Sequence, residues 1–137
     1  MKNQVTIAIA SLLSILLFSL HWAYEIAHGM ETGGREGLGG IVILVVWLYG
    51  TLALSGRRAG YAITILGGIF GLGVLFLHMG GRGMVGGRVP VNSSGALFWV
   101  WTLIALAVSS TIAGILAGQG LWSSRRRERT EGSNQRH

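Results

Sequence analysis

Residues 5–27 read VTIAIASLLSILLFSLHWAYEIA, an apolar run that holds a single acid, Glu25. Three further apolar runs cover residues 38–55, 59–79 and 96–121, and these contain no Asp, Glu, Lys or Arg. A helix that rises ~1.5 Å per residue needs about 20 residues to cross a hydrocarbon core of roughly 30 Å, so each run can span. Lipid offers the backbone no hydrogen-bond partners, and we therefore predict an all-α membrane protein with four transmembrane helices.

The connections between the runs are short, which favours an up-down-up-down bundle of antiparallel neighbours. Residues 1–121 form one predicted transmembrane domain, and residues 122–137 form a basic, polar tail that we expect to be disordered. Eight of the 11 Lys and Arg residues lie before the first run, between the second and third, or after the fourth. This bias predicts cytoplasmic termini and a multi-pass protein of the cell membrane. The three exceptions are Arg35, Arg82 and Arg88.

Composition also limits the chemistry. The chain has neither cysteine nor aspartate, which excludes disulfides, thiolate metal sites and cysteine nucleophiles, and no serine lies in a motif for nucleophilic attack. The formal charge of +6 is divided among connections and the tail, so topology explains it without a nucleic-acid partner.

A cleaved signal peptide is disfavoured, because cleavage after Ala23 or Ala27 would leave His21 or Glu25 at the position where signal peptidase needs a small residue. The sequence favours a protein that is not an enzyme.

Small residues line one face of the third run and one face of the fourth, at spacings that let membrane helices approach closely. The pattern predicts helix packing within one molecule, or against a second copy or another membrane subunit. The predicted packing residues are Gly60, Thr64, Gly67, Gly71, Ser110, Gly114 and Gly118.

A cluster of arginines follows the fourth run directly. Basic side chains at this position are attracted to an anionic bilayer surface by about 1 kcal/mol each. They would equally fix the orientation of the protein without a specific partner. The predicted headgroup contacts are Arg125, Arg126, Arg127 and Arg129.

The first run has one polar edge. An ionisable side chain at membrane depth is costly unless protein or water receives it, so this edge should face other helices or a cavity. Phe18 interrupts the edge midway. The polar residues that fall within an arc of about 100° on a helical wheel are Ser11, Ser14, His21, Glu25 and His28.

The far end of this edge predicts a metal site. The spacing Glu25-x-x-His28 lets one helix offer a carboxylate and an imidazole to the same ion, and His21 lies about one turn earlier. The third run crosses in the same direction, which brings His78 to a similar depth. We therefore expect a transition-metal site near the outer membrane face, and zinc, copper or iron would accept these four ligands.

Three alternatives remain open. Haem could be held between His21 or His28 and His78, because neutral imidazoles on facing helices are suitable axial ligands. Glu25 and His21 could exchange a proton in a proton or ion relay, although Phe18 breaks the edge that a path would follow. The cluster could also be a satisfied interfacial group in a structural or accessory subunit that acts through its small-residue faces.

Overall fold

The computed structural model describes residues 2–30, 37–80 and 94–134, and the regular structure in these ranges is entirely helical. The four helices are α1 (Lys2–Ala27), α2 (Leu38–Leu52), α3 (Arg58–Gly80) and α4 (Ser94–Asn134). The prediction of an all-α fold with four apolar helices is confirmed, and the arrangement is compatible with a helical membrane bundle. Within the described ranges, the segments long and apolar enough to cross a membrane are Asn3–Ala27, Arg58–His78 and Gly95–Arg126.

The second helix is shorter than the run at 38–55 predicted for it. Its 15 residues extend over about 22 Å, less than the roughly 30 Å of a hydrocarbon core. The chain turns because the backbone N–H groups of Ala53 and Leu54 both donate to the carbonyl of Tyr49, and Gly56 has a φ of 77° that a residue with a side chain rarely adopts. α2 is therefore an apolar helix of less than full membrane length.

The fourth helix is longer than expected, since it continues past Leu121 through Asn134 where the sequence predicted a disordered tail. Arginine and glutamate are strong helix formers, and no proline interrupts this segment. The side chains of Arg127 and Arg129, two of the predicted headgroup contacts, lie outside the described part of the chain.

Neighbouring helices run in opposite directions. α4 packs along both α1 and α3. Its start meets the end of α1, where Gly95 lies against the Tyr24 hydroxyl, and Gly120, much further along α4, lies against the ring of Tyr61 near the start of α3. This arrangement gathers the end of α1, the end of α3 and the start of α4 at one end of the bundle.

Polar side chains lie inside the bundle and large apolar side chains lie outside. Leu66, Phe76 and Leu77 are each about two-thirds exposed, whereas Ser11 and Ser14 are fully buried. A water-soluble protein has the opposite pattern, but a membrane protein can expose leucine and phenylalanine to lipid and use buried hydroxyls to join helices. The apolar core packed between α1, α3 and α4 consists of Phe18, Val74, Trp99, Leu103 and Leu106.

The small-residue faces bring helices together within one molecule. Gly67 lies against the indole of Trp47 on α2, and Gly71 lies against the hydroxyl of Ser110 on α4. Gly60 lies against the backbone of the turn that follows α2. The buried residue Thr64 lies on the same side of α3. α3 therefore uses this face for packing against both α2 and α4.

The backbones of α3 and α4 approach closely at Gly68, a glycine that the sequence pattern did not select. A Cβ atom on Gly68 would lie 2.8 Å from the carbonyl oxygen of Ser110 and 3.1 Å from the Cα of Gly114. Gly114 was among the predicted packing residues. Gly118, one turn further on, faces open space, because a Cβ atom there would meet nothing within 4 Å. One half of the Gly114-x-x-x-Gly118 pair therefore packs inside the bundle.

Gly68→Ala is expected to destabilise the bundle by about 1–3 kcal/mol, because backbone atoms cannot move aside as a side chain can. Gly73→Ala on the same helix is the matched control, since a Cβ there meets nothing within 4 Å. The control should be neutral or gain up to about 1 kcal/mol from helix propensity. Unfolding in detergent, followed by circular dichroism, measures both. Equal stability of the two variants would contradict the close α3–α4 contact.

Candidate metal centre

Two helices supply the three ionisable side chains of the site, and α4 supplies the groups that surround them. His21 and Glu25 are four residues apart on α1, so they share one face. His78 reaches the same point from the last turn of α3. One potential ligand atom from each of the three lies within 4.8 Å of the others. All three side chains are buried, with residue exposures of 1%, 7% and 8% for His21, Glu25 and His78.

One carboxylate oxygen is the centre of the cluster. Glu25 Oε1 lies 2.7 Å from His78 Nε2 and 3.6 Å from His21 Nε2. The indole N–H of Trp99 donates to the same oxygen over 3.1 Å. Three nitrogen-bearing rings from three helices therefore face a single oxygen atom.

His78 and Glu25 share one proton. The Nδ1 atom of His78 lies 2.9 Å from the carbonyl oxygen of Val74, which can only accept, so Nδ1 carries a hydrogen. Its Nε2 atom faces the carboxylate at hydrogen-bond distance. One proton must lie between the two groups, either on the imidazole of His78 or on the carboxyl of Glu25. In both cases the pair has no net charge, which suits a buried position.

His21 faces Glu25 through its Nε2 atom, which is bare: it makes no hydrogen bond with a described residue. The Thr102 hydroxyl lies 2.9 and 3.0 Å from the carbonyl oxygens of Phe98 and Trp99 and 3.1 Å from Nδ1 of His21. When the hydroxyl donates to either carbonyl, it accepts from Nδ1–H of His21. A neutral imidazole with its hydrogen on Nδ1 has a lone pair on Nε2. That atom is buried and has no hydrogen-bond partner among the described residues. Since Glu25 Oε1 is 3.6 Å away, the lone pair faces a second electron donor.

Aromatic rings enclose the cluster. The ring of Trp99 lies 5.3 Å, between centroids, from both His21 and His78, and the two imidazoles are 5.2 Å apart. Trp99 itself is only 2% exposed. An apolar wall of this kind excludes water and strengthens the electrostatic interactions inside it.

His28, the fourth predicted ligand, is not brought to the cluster. α1 ends at Ala27, and the exposed His28 ring bonds through Nδ1 to the carbonyl of Tyr24 over 2.9 Å. The ring also stacks on Tyr24 with 3.9 Å between centroids. The structure thus unites three of the four predicted ligands, and the Glu25-x-x-His28 spacing does not converge on one point.

Sequence reasoning missed Trp99 and Thr102. Both are on α4, three residues apart and therefore on one face, at the depth where α4 passes the ends of α1 and α3. Tryptophan and threonine are common in apolar helices, and neither is a titratable group, so no pattern singled them out. The only usable signal was the antiparallel order of the helices, which places the start of α4 beside His78.

The two distances that involve Glu25 Oε1 suit a single metal ion after a small adjustment. Ligand atoms about 2.0–2.1 Å from a tetrahedral ion are about 3.3 Å apart, close to the 3.6 Å between His21 Nε2 and Glu25 Oε1. The 2.7 Å between His78 and Glu25 is a hydrogen bond, so an ion would displace the shared proton and separate these groups by about 0.6 Å. Two imidazoles and one carboxylate would leave a coordination position open.

The same geometry argues against haem between His21 and His78. A macrocycle between His21 and His78 would have to displace the Glu25 carboxylate, which both imidazoles face. It would also displace Trp99, whose ring closes the cluster. A single ion requires neither change.

A second group of buried hydroxyls lies deeper in the bundle and is separate from the cluster. The Ser14 hydroxyl donates to Ser109 over 3.0 Å, and Ser11 bonds Thr51 over 2.7 Å. An apolar layer lies between these groups and His21. Its depth along α1 is about 10 Å, because Ser14 and His21 are seven helical residues apart. The layer contains Phe18, Val74, Leu103 and Leu106. Among the described residues, no hydrogen bond crosses this layer to join the two groups.

These features define the class of the protein: an all-helical bundle with three helices of membrane-spanning length and a buried His–Glu–His group that could bind a metal ion. Comparison with protein-family models, with curated proteins and with solved structures finds no match. The function is therefore argued from the site.

Proposed function

We propose that this protein binds a divalent transition-metal ion within the membrane, with His21, Glu25 and His78 as ligands. The observation that carries the proposal is the bare Nε2 atom of His21, which is buried, faces Glu25 and has no hydrogen-bond partner among the described residues. A buried polar atom without a partner is destabilising. A Lewis acid between His21 Nε2 and Glu25 Oε1 would satisfy both electron donors at once.

Zinc is the ion that best fits these ligands. Two imidazoles and one glutamate, with an open fourth position, are the ligand set of one class of catalytic zinc sites. The same set also accepts iron(II), whereas the chain has no thiolate that would favour softer ions. The hydrogen bond from His21 Nδ1 to Thr102 and that from His78 Nδ1 to Val74 fix both ring orientations, as the outer partners of metal-bound histidines usually do.

Charge distribution supports access from the outer side of the membrane. The cluster lies at the end of the bundle opposite the exposed residues Arg57, Arg58, Arg125 and Arg126. Basic residues concentrate on the cytoplasmic side of membrane proteins, which supports an orientation with the cluster in the outer half of the bilayer. The apolar layer beneath His21 would then separate the ion from the cytoplasm.

The first experiment is equilibrium dialysis of the purified protein, in mild detergent at neutral pH, against zinc. We expect one ion per chain in the wild type and in His28→Ala, whose ring is exposed and outside the cluster. His21→Ala should lose this ion because it removes the bare nitrogen. Binding that survives His21→Ala, or that depends on His28, would contradict the proposed site. Thermal unfolding of each metal-free variant shows whether the fold is retained.

Thr102→Val is expected to weaken zinc binding by about 10- to 100-fold, because it removes the group that orients His21 and fixes its tautomer. The two side chains have nearly the same shape, so the bundle should keep its packing. Thr111→Val is the control, since this hydroxyl is on the same helix, is exposed and bonds the carbonyl of Ala107 on its own helix. Equal zinc affinity in the two variants would show that Thr102 does not position the ligand.

Zinc affinity is expected to fall at low pH. The ion must displace the proton shared by Glu25 and His78, so its apparent affinity should decrease by about tenfold per pH unit wherever one proton is released. Calorimetric titrations of the protein with zinc, between pH 8 and pH 6 in two buffers of different ionisation enthalpy, would measure the number of protons released. Binding without proton release would mean that zinc enters without opening the His78–Glu25 hydrogen bond.

A further inference from the structure

The indole of Trp99 bonds the Glu25 carboxylate through the same oxygen that faces both imidazoles. Its Nε1 atom lies 3.1 Å from Glu25 Oε1, compared with 2.7 Å for Nε2 of His78 and 3.6 Å for Nε2 of His21. Within the described part of the chain, each ring nitrogen that contacts Glu25 does so at Oε1, and none does so at Oε2. The two oxygens of this carboxylate are therefore in different surroundings.

Packing fixes the direction of the indole N–H. Trp99 is 2% exposed and belongs to the apolar core with Val74 and Leu103, while its ring also lies beside both imidazoles. A large ring that is packed on several sides has few alternative positions. The packing of α4 therefore decides where the donor points, and Oε1 of Glu25 is the oxygen that meets it.

The hydrogen bond from the indole limits how Glu25 could bind an ion. Each carboxylate oxygen has about two positions at which it accepts. At Oε1 the indole N–H occupies one of them, which leaves one for an ion that lies between the carboxylate and the imidazoles. Binding through both oxygens would require Oε2 to turn towards the imidazoles, and Oε1 would then move away from the indole. The hydrogen bond of Trp99 is therefore compatible with an ion bound through one oxygen.

We infer that Trp99 confines Glu25 to binding through one oxygen and thereby increases the preference of the site for zinc over manganese(II). The inference rests on the proposed metal centre and names a residue that determines its selectivity. Zinc needs about four ligands, which two imidazoles, one carboxylate oxygen and the open position supply. Manganese(II) favours about six ligands that are mainly oxygen, so it gains more than zinc from a second carboxylate oxygen.

Trp99→Phe tests the inference because it removes the N–H and keeps an aromatic ring in the wall of the site. We expect zinc binding to weaken by about 10- to 100-fold, the usual effect of losing the outer partner of a metal ligand. Manganese(II) binding should be unchanged or tighter, because Glu25 is then free to bind through both oxygens. Equilibrium dialysis against each ion measures both dissociation constants.

The ratio of the two dissociation constants is the decisive quantity. Zinc binds a nitrogen and oxygen site more tightly than manganese(II) in any case, so the contribution of Trp99 is the change in this ratio. We expect the preference for zinc to fall at least about tenfold in Trp99→Phe. The matched control is Trp101→Phe, which is on the same helix and 64% exposed. It should leave both affinities unchanged.

Infrared difference spectra, recorded with and without the ion, show how the carboxylate binds. The two carboxylate stretching bands are further apart when one oxygen binds the ion than when both do. We expect the wide separation in the wild type with either ion, and the narrow separation in Trp99→Phe with manganese(II). The wild-type spectrum tests binding through one oxygen without any substitution, and thermal unfolding of metal-free Trp99→Phe shows whether the variant keeps its fold.

Two results would overturn this inference and leave the metal centre itself in place. One is a wild-type spectrum with the narrow band separation. The other is an equal weakening of zinc and manganese(II) binding in Trp99→Phe, which would show that Trp99 only packs against the site. A wild type that binds no zinc, or zinc binding that survives His21→Ala, would instead contradict the metal centre and the inference together.

Discussion

Zinc at 100 times its dissociation constant is expected to raise the free energy of unfolding by about 2.7 kcal/mol, because the ion binds the assembled bundle and not the separated helices. The two ligand-bearing helices are far apart in sequence, with His21 and Glu25 on α1 and His78 on α3. Only the folded bundle brings their ligand atoms within 4.8 Å. An ion at this point would therefore link α1 and α3 at the end of the bundle where Glu25 and His78 meet.

Detergent unfolding with and without a chelator measures this stabilisation. His28→Ala should keep the full effect of zinc, and His21→Ala should lose it while retaining a helical fold. The increase should grow with the logarithm of free zinc above the dissociation constant. Stabilisation of the same size in His21→Ala would show that zinc acts elsewhere on the protein.

Glu25→Leu is expected to destabilise the metal-free bundle by about 3 kcal/mol, the lower end of the range for removing one partner of a buried ion pair. The substitution leaves both His78 Nε2 and the indole N–H of Trp99 without the oxygen to which they bond. Unsatisfied buried polar atoms of this kind cost about 1–3 kcal/mol each. The reference for this comparison is the wild type in the presence of a chelator.

Glu25→Gln is the matched variant, because its amide oxygen can still accept from Trp99 and its shape is nearly that of glutamate. We expect a loss of stability well below that of Glu25→Leu. Both variants should bind zinc at least about 100-fold more weakly, since each lacks the anionic ligand. If Glu25→Leu were as stable as the wild type, the hydrogen bonds around Glu25 Oε1 would not contribute to the fold.

The helices could be predicted from the sequence because lipid imposes a simple rule on them. Runs of about 20 apolar residues have few alternatives to a spanning helix. The ends of α2 and α4 were less predictable than the presence of the helices. Apolar residues continue beyond Leu52, but hydrogen bonds to Tyr49 and the left-handed Gly56 turn the chain there. After Leu121, polarity suggested disorder, whereas the helix propensity of arginine and glutamate extends α4 through Asn134.

The candidate site could be predicted in part, because helix geometry decides which residues share a face. His21 and Glu25 share a helix face at four-residue spacing, and the antiparallel order of the helices brings His78 to them. His28 also fits the helical wheel, but it lies beyond Ala27 and its ring bonds back to Tyr24. Trp99 and Thr102 could not be assigned, because only the packing of α4 on α1 and α3 brings them to the imidazoles.

X-ray absorption at the zinc edge tests most directly whether His21, Glu25 and His78 bind the ion. The sample is the purified protein after dialysis against zinc. We expect about four nitrogen or oxygen neighbours near 2.0–2.1 Å, with the outer-shell scattering of two imidazoles. His21→Ala should lose the zinc signal, and His28→Ala should leave the spectrum unchanged. A zinc ion surrounded only by water and carboxylate oxygens, or a spectrum that changes with His28→Ala, would contradict the proposed centre.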